Sequence, residues 1–459
     1  MLIKEINTKL NSFQIYTLFK DFSYSFFLDS GRDHETLGKY SFIGFDPFLV
    51  FKSKNSEISV KTCDDEKVFH GDPFVKLKEL MAQYSIDYKT ELPFVGGAVG
   101  YFSYDLCHHI EELPRTAIDD VNIPDCFLGF YDGVIIIDHE KNKTYIASVG
   151  IKDEEKKVIE NIEEHIEKSD LCDMRHDYKN NHIKYRSNFT KDEYMGALDA
   201  IHNYIREGDI YQVNLTQRFE YPLNISPVHL YNELRKINPA PFASFIDFGE
   251  GQIVSSSPER FIKIKGTRIE TRPIKGTMPR GKTKEEDERN KLQLINSKKD
   301  KSELLMIVDL ERNDLGKISK SGTVKVPELF KLEEYETVFH LVSTVVGELK
   351  DGVDAIDCIK ATFPGGSITG APKIRSMEII DELEPTQRNI YTGSIGYIGF
   401  NGDTDLNIVI RTILCKDNKA YLQAGGGIVW DSDNQMEYEE TFHKAKALME
   451  ALSLSNIED

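Results

Sequence analysis

The chain has 459 residues, 40 % hydrophobic and 29 % charged, the balance of an ordinary soluble globular protein with room for one large or two medium cores. A formal net charge of -19 argues against nucleic acid as a partner, because phosphate recognition needs a clustered basic surface, and it does not suit an anionic membrane. An anionic substrate would need a local positive pocket inside a repulsive exterior. The opening stretch MLIKEINTKLNSF lacks a continuous apolar segment, and no run approaches the length of a spanning helix, so a cytoplasmic protein is expected. Six cysteines, at 63, 107, 126, 172, 358 and 415, form no C-x-x-C pair and predict reduced thiols. Cys107, His108 and His109 are consecutive, and side chains that alternate in direction do not converge on a metal.

Residues 1–150 read as short strands, among them YSFIGFDPFLVF (40–51), FVGGAVGYFSYDL (94–106) and FYDGVIIID (130–138), each rich in aromatic and β-branched residues and punctuated by Gly, Pro and Asp. The segment 153–170 carries Val158, Ile162 and Ile166 at helical spacing on a charged background and predicts a surface helix with one apolar stripe. The polar run 174–188 that follows reads as a linker, so that 1–150, 151–189 and 190–455 are the expected divisions. The third opens with a capping box, Thr190 and Glu193, ahead of a helix whose apolar face is Tyr194, Leu198, Ile201 and Ile205 and which stops at Gly208. A strand over 209–221 sets Tyr211, Val213 and Leu215 against Gln212, Asn214, Thr216 and Arg218. A solvated strand face usually carries Lys and Glu, so these aligned amides hint at a polar cavity.

The stretch SSSPERFIKIKGTRIETRPIKG predicts a β-hairpin turning at Gly266-Thr267, with Ile264 opposite Ile269 and Lys263 opposite Glu270. That register brings Glu259 opposite Ile274 and within a residue of Lys275, where Pro273 should interrupt regular pairing. An amine is nucleophilic only when deprotonated, a state that burial and nearby cations favour, so Lys275 is a candidate nucleophile. Further on, ELLMIVDL (303–310) turns apolar on every side and predicts a buried helical turn that would bury Glu303 or set it at a cavity wall. Glu437 and Glu440 share a face near the start of a terminal helix, either complementing the helix dipole or converging on Mg²⁺. The glycine-rich run 363–383 leads into a helix with Pro372 in its first turn. It is not a P-loop, because Ala371 and Pro372 stand where Lys and Ser or Thr are required. Gly425, Gly426 and Gly427 are expected between a strand ending at Ala424 and another starting at Ile428, allowing close backbone approach. The alternation of strands and helices throughout predicts an α+β or mixed α/β fold with large, mainly antiparallel sheets.

The blocks GDIYQVNLTQRF, SSSPERF, PIKGTMPRG, ELLMIVDLERNDLG, HLVSTVVGEL, GSITGAPKIRSMEIIDELEP, GSIGYIGF, IVIRT and QAGGGIVWDSD together resemble, in consistent order over about 190–452, the chorismate-utilising enzymes. FLDSG (27–31) and GKYSFIGFDP (38–47) resemble the N-terminal region of the amine-transferring members of that family. The resemblance implies two sheets packed as a sandwich with helices outside, and it implies roles. Glu303 and Glu440 match Mg²⁺ ligands, with Glu437 beside them. Tyr397, Arg411 and the backbone of Gly425, Gly426 and Gly427 match a cradle for the enolpyruvyl carboxylate of chorismate. Gly276, Thr277 and Ser367 match the rest of the substrate site, Glu259 a general acid-base at the C4 hydroxyl, and His340 an active-site histidine. Ser30, Lys39, Tyr40, Pro241, Phe242 and Ala243 match a tryptophan-binding pocket. FLDS departs from the LLES of feedback-regulated members.

Two positions select a branch by resemblance. Water-using members carry a lysine where this chain has Gln212. Anthranilate synthases usually read PIAGT, where this chain has PIKGT, and a lysine at that place is similar to the nucleophile of the aminodeoxychorismate synthase branch. The implied reaction is amination of chorismate to 4-amino-4-deoxychorismate, towards p-aminobenzoate and folate, through a covalent Lys275 intermediate. The chain shows no glutaminase signature, so ammonia is expected from a separate glutamine amidotransferase partner. An anthranilate synthase component, or a non-catalytic subunit that binds tryptophan or chorismate, are the competing readings.

Overall fold

The computed structural model describes residues 1–31, 37–169, 178–180, 183–335 and 338–456. Its frame is two 12-stranded sheets, each running through both the first 150 residues and the region beyond 190. The first sheet starts at Leu2–Ile6 and passes through N-terminal strands to Phe26–Asp29. That strand pairs with Phe242–Asp247, and the sheet continues through Gln252–Ser257, Thr412–Lys416 and Lys419–Ile428 to Gln212–Pro222. The second starts at Ile274–Pro279 and reaches Ser394–Gly399. There it crosses to Gly97–Phe102 and the remaining N-terminal strands. The sequence divisions are therefore not divisions in hydrogen bonding; every pairing that joins named strands within these two sheets is antiparallel, as expected for a mixed α+β fold. Residues 174–177 and 181–182 of the predicted 174–188 linker lie outside the described residues.

Alternation along the strands explains the layering. In Gly133–Asp138, Val134 and Ile136 face the core between the sheets, while Ile135 and Ile137 join a second core beneath the outer helices. The helix Glu155–Lys168 closes that second core with Ile159, Ile162 and Ile166, and Val158 packs at its margin. Ser12–Phe19, Pro227–Ile237 and Asn434–Leu452 complete the same layer.

The local signals near the later site fold as their chemistry requires. Thr190 and Glu193 make the capping box of Lys191–Glu207, and Gly208 ends it at φ 84°. Both faces of Gln212–Pro222 are buried, and Gln212, Asn214 and Thr216 are nearly inaccessible, so the uncharged polar face is an interior one; Tyr211 lies outside the strand and is exposed. The apolar turn at 303–310 differs from expectation. It belongs to a helix, Lys298–Ile318, in which Leu304, Ile307 and Val308 are buried but Leu305 is exposed, so the helix is one-sided. The four described buried cysteines and exposed Cys63 are free thiols, and Cys172 lies outside the described residues. No described helix is long and apolar enough to cross a membrane.

Candidate active site

The hairpin forms in the expected register, Arg260–Lys265 against Arg268–Arg272, with Ile264 opposite Ile269 and Lys263 opposite Glu270 across Gly266 at φ 58°. A register shift between Arg260 and Lys263 moves Arg260 opposite Arg272. Pairing then lapses at Pro273 before the strand Ile274–Pro279 begins. This irregular end delivers Glu259 and Lys275 to one cavity of about 850 Å³. Its other walls are the strand Lys419–Ile428, the helix Lys298–Ile318 capped by Ser297, one side of Asn434–Leu452 from Glu437 to Glu450, capped by Asp433, and the turn Gly366–Ile368.

Glu259 is buried and bonded on two sides: the hydroxyl of Ser367 and the N–H of Ile274 both donate to its carboxyl. Burial nevertheless dominates and pushes it up to about 7, against these bonds and the charge of Lys275. Lys275 Nζ stands 3.9 Å from Glu303 Oε2. Gly276 follows at φ 78°, and a Cβ there would meet the Asp300 side chain at 2.9 Å, so any other residue would be strained at this turn. Thr277 pairs with His340 across the strands, Thr277 Oγ1 lying 2.9 Å from His340 Nδ1, and Tyr335 flanks the imidazole.

The carboxylates occupy the opposite wall. Burial holds Glu303 above the ordinary carboxylate value, with Lys275 and Lys299 opposing and Asp300 and Glu440 adding. Glu437, which accepts the Ser432 hydroxyl at 2.7 Å, is raised in the same way by burial and by Glu440. Burial also works against ionised Glu440, but Lys444 at 2.6 Å, with Lys275 and Lys299 further off, outweighs it and holds Glu440 below the ordinary value. Lys444 itself is depressed by burial and donates to the carbonyl of Gly425 at 2.9 Å.

Gly425, Gly426 and Gly427 are not a break between strands. They lie inside one strand, Lys419–Ile428, paired in unbroken register with Thr216, Leu215 and Asn214. A Cβ on Gly427 would sit 2.4 Å from Gln212 Nε2 and 3.3 Å from Lys275 Nζ. One on Gly426 would sit 3.2 Å from Glu437 Oε2 and 3.3 Å from Lys444 Nζ. Bare backbone thus lets side chains from three elements close around the strand. Gln212 is buried behind Gly427, and Asn214, its neighbour on the same strand face, borders the cavity. Arg411 lines the cavity with its backbone at φ 53°, and no carboxylate lies within ion-pair distance of it among the described residues. Burial lowers its pKa, with Tyr391 and Glu440 opposing. A buried guanidinium in that state is a receptor for an anion.

Tyr397 is a correction. It lies in the strand Ser394–Gly399, stacked on Phe94 at 4.6 Å, and does not border the cavity. The tyrosine that does is Tyr391, bonded to the backbone of Gly425 and followed by Thr392 at φ 60°. Nothing local distinguishes the two in sequence. Lys444 was also missed, although its place four residues after Glu440 on one helix face was a usable signal. Of the six residues matched to a tryptophan pocket, Pro241 borders the cavity. The others gather nearby but apart from it: Asp29 pairs with Ala243, Ser30 Oγ donates to the Tyr40 carbonyl at 2.5 Å, Lys39 meets Glu140 at 2.8 Å, and Phe242 lies beneath the Arg260 guanidinium. Asp29 is itself engaged by Arg235 at 2.8 Å and Tyr231 at 3.1 Å.

Comparison with known proteins agrees with this chemistry at the family level. Residues 23–450 match the family described as chorismate binding enzyme. The chain is 40 % identical to the aminodeoxychorismate synthase component 1 of Bacillus subtilis (strain 168), covering 94 % of each. It is also 40 % identical to the anthranilate synthase component 1 of Acetivibrio thermocellus, over 95 % of this chain and 92 % of the relative. Among solved structures, anthranilate synthase component I from Streptococcus pneumoniae superposes with a TM-score of 0.81 at 34 % identity, over 89 % of this chain and 91 % of that one. With a family match over nearly its whole length, the chain belongs to the chorismate-binding enzymes.

Proposed function

We propose that the protein is the chorismate-aminating component of an aminodeoxychorismate synthase, converting chorismate and ammonia to 4-amino-4-deoxychorismate and water. The observation that carries this reading is the Lys275 amine in the cavity wall, beside the Glu259 carboxyl and the neutral amide of Gln212. A lysine at 212 would supply a base for water; an amide does not.

The cavity also fits Mg²⁺. Its carboxylates are hard oxygen donors on two facing helices, and Glu303 and Glu437 stand above their ordinary pKa partly because Glu440 repels them, a surplus of negative charge that a cation would relieve. No closed set of three metal-ligating side chains exists among the described residues. Glu303 and Glu440 would hold the ion with substrate and water completing its shell, as Mg²⁺ tolerates. When bound it supplies Lewis-acid polarisation of the ring carboxylate.

The residues then divide the work. Arg411 and the backbone beside Gly425 receive the enolpyruvyl carboxylate. The Lys275 amine, once it has given up its proton, forms a bond to C2 of the ring as the double bonds shift and the C4–O bond breaks. Glu259 gives its proton to the departing oxygen, which leaves as water. Ammonia, supplied by a separate glutamine amidotransferase, next bonds to C4 while the C2–N bond breaks and Lys275 is released. The Glu259 carboxylate takes back a proton from the new ammonium group. Incubation with chorismate, Mg²⁺ and an ammonium salt, followed by mass spectrometry, should show 4-amino-4-deoxychorismate without pyruvate, and Lys275→Ala should lose most of that turnover. Release of anthranilate and pyruvate by the unmodified protein would overturn the proposal in favour of the anthranilate reaction.

A further inference from the structure

The turn carrying Ser367 is held from behind by three charged groups, Arg388 and Glu311 buried and Lys373 partly so. Lys373, paired with Asp314, donates to the carbonyls of Thr362 at 3.0 Å and Pro364 at 2.8 Å. Arg388, paired with Glu384, donates to the Ile368 carbonyl at 3.0 Å. Between them, Glu311 Oε1 accepts the N–H of Gly366 at 3.1 Å, one residue before Ser367. The approach is close: a Cβ on Gly366 would lie 3.1 Å from Glu311 Oε1 and 2.5 Å from Leu310 Cδ2.

Lys373 and Arg388 each serve several carbonyls, but Glu311 is left half satisfied. It is 3 % exposed, and its Oε2 has no hydrogen-bond partner among the described residues. The charged groups that face it are Asp314 from its own helix, Lys373 from the helix Lys373–Leu383, and Glu259 from beyond the turn; Lys317 engages the far side of Asp314. Burial, reinforced by Asp314 and Glu259, raises Glu311 to about 7, beside Glu259 at about 7. Two buried carboxyls therefore flank one short turn, one opening on the cavity and the other sealed from it.

We infer that Glu311 is a positioning residue for Glu259: through the Gly366 N–H it sets the turn that places Ser367 against the Glu259 carboxyl, and its own negative charge, outweighing that hydroxyl, disfavours a second one there, so that Glu259 keeps its proton for the departing hydroxyl. The inference rests on the reaction proposed above. Interacting carboxyls lose their protons in two steps that belong to the pair, so removing one must move the titration of the other.

The test is the pH profile of kcat for chorismate consumption, with free ammonia held saturating, in the unmodified protein, Glu311→Gln and Ser367→Ala. Reading consumption keeps the result valid whichever aminated product forms, while the products in the same samples judge the proposed reaction separately. Loss of the Glu311 charge should let Glu259 ionise more easily, moving the alkaline limb to lower pH by about half a unit or more. Loss of the Ser367 hydroxyl, which stabilises the Glu259 carboxylate, should move that limb the other way. If Glu311→Gln does not fold, Glu311→Met in the Ser367→Ala background, where the hydroxyl no longer counts, fills the space without charge and should move the limb to lower pH than in Ser367→Ala alone. A fall in kcat with the alkaline limb unmoved would reduce Glu311 to a structural role and overturn the inference.

Discussion

Asp105 shows in isolation what burial does to a carboxyl away from the cavity. Desolvation, with the charge of Asp125 adding, raises it to about 7, although it accepts the N–H of Asn389 at 2.8 Å. Its folded pKa lies above its unfolded value, so the folded state binds the extra proton. That contribution is fully present below the unfolded pKa of 3.8 and is lost as pH rises through about 7. Asn at this position mimics the neutral carboxyl and cannot ionise. The stability of Asp105→Asn relative to the unmodified protein should therefore improve between about pH 5 and about pH 7, by up to about 1.4 kcal/mol per pH unit. Urea unfolding at the two pH values reads this directly, and a difference independent of pH would show that Asp105 ionises freely in the fold. Arg411 meets the opposite problem. Its charge is persistent, so burial without a carboxylate partner leaves it waiting for an anion.

Among the elements, the strand Lys419–Ile428 carries the sharpest demand. An alanine methyl at 427 would press on the side-chain ends of Gln212 and Lys275, whereas one at 425 would strike the Leu215 carbonyl at 2.1 Å. Gly427→Ala should fold with about 1 kcal/mol of lost stability yet lose about 10²-fold in kcat through displaced side chains. Gly425→Ala should be destabilised by more, because backbone cannot step aside. Paired melting and rate measurements separate the two; equal losses of stability would contradict the geometry. The hairpin and its register were legible in sequence because a two-residue turn and cross-strand pairs are local. The register shift at Arg260–Lys263 was not, since it answers to the neighbouring strand Thr404–Asn407. The same reason hid the continuity of the glycine strand, whose hydrogen bonds come from Gln212–Pro222, more than 200 residues earlier by the pairing of Val213 with Ile428. Tyr397 looked eligible because a motif places residues along the chain and not around a cavity. Glu311 lies one residue beyond the apolar stretch read at 303–310, and nothing along the chain places it behind Ser367.

At the scale of the molecule, both sheets are stitched across the chain, Phe26–Asp29 to Phe242–Asp247 and Gly97–Phe102 to Ser394–Gly399. A fragment of residues 190–459 would leave one edge of each junction strand unpaired and uncover the apolar surface now packed against Phe27, Val99 and Tyr101. It should show no cooperative unfolding transition alone and regain one, with chorismate turnover, when co-expressed with 1–189. A fragment that melts cooperatively and turns over chorismate by itself would refute this. The stitching also sets an order of events in time. Gly97–Phe102 is synthesised about 300 residues before the strand it pairs with, and such distant closures are slow because loop entropy must be lost before any contact is gained. During translation that strand presents a bare, apolar edge for the whole interval, so the nascent chain is most exposed to aggregation, and most in need of a chaperone, well before any wall of the cavity exists.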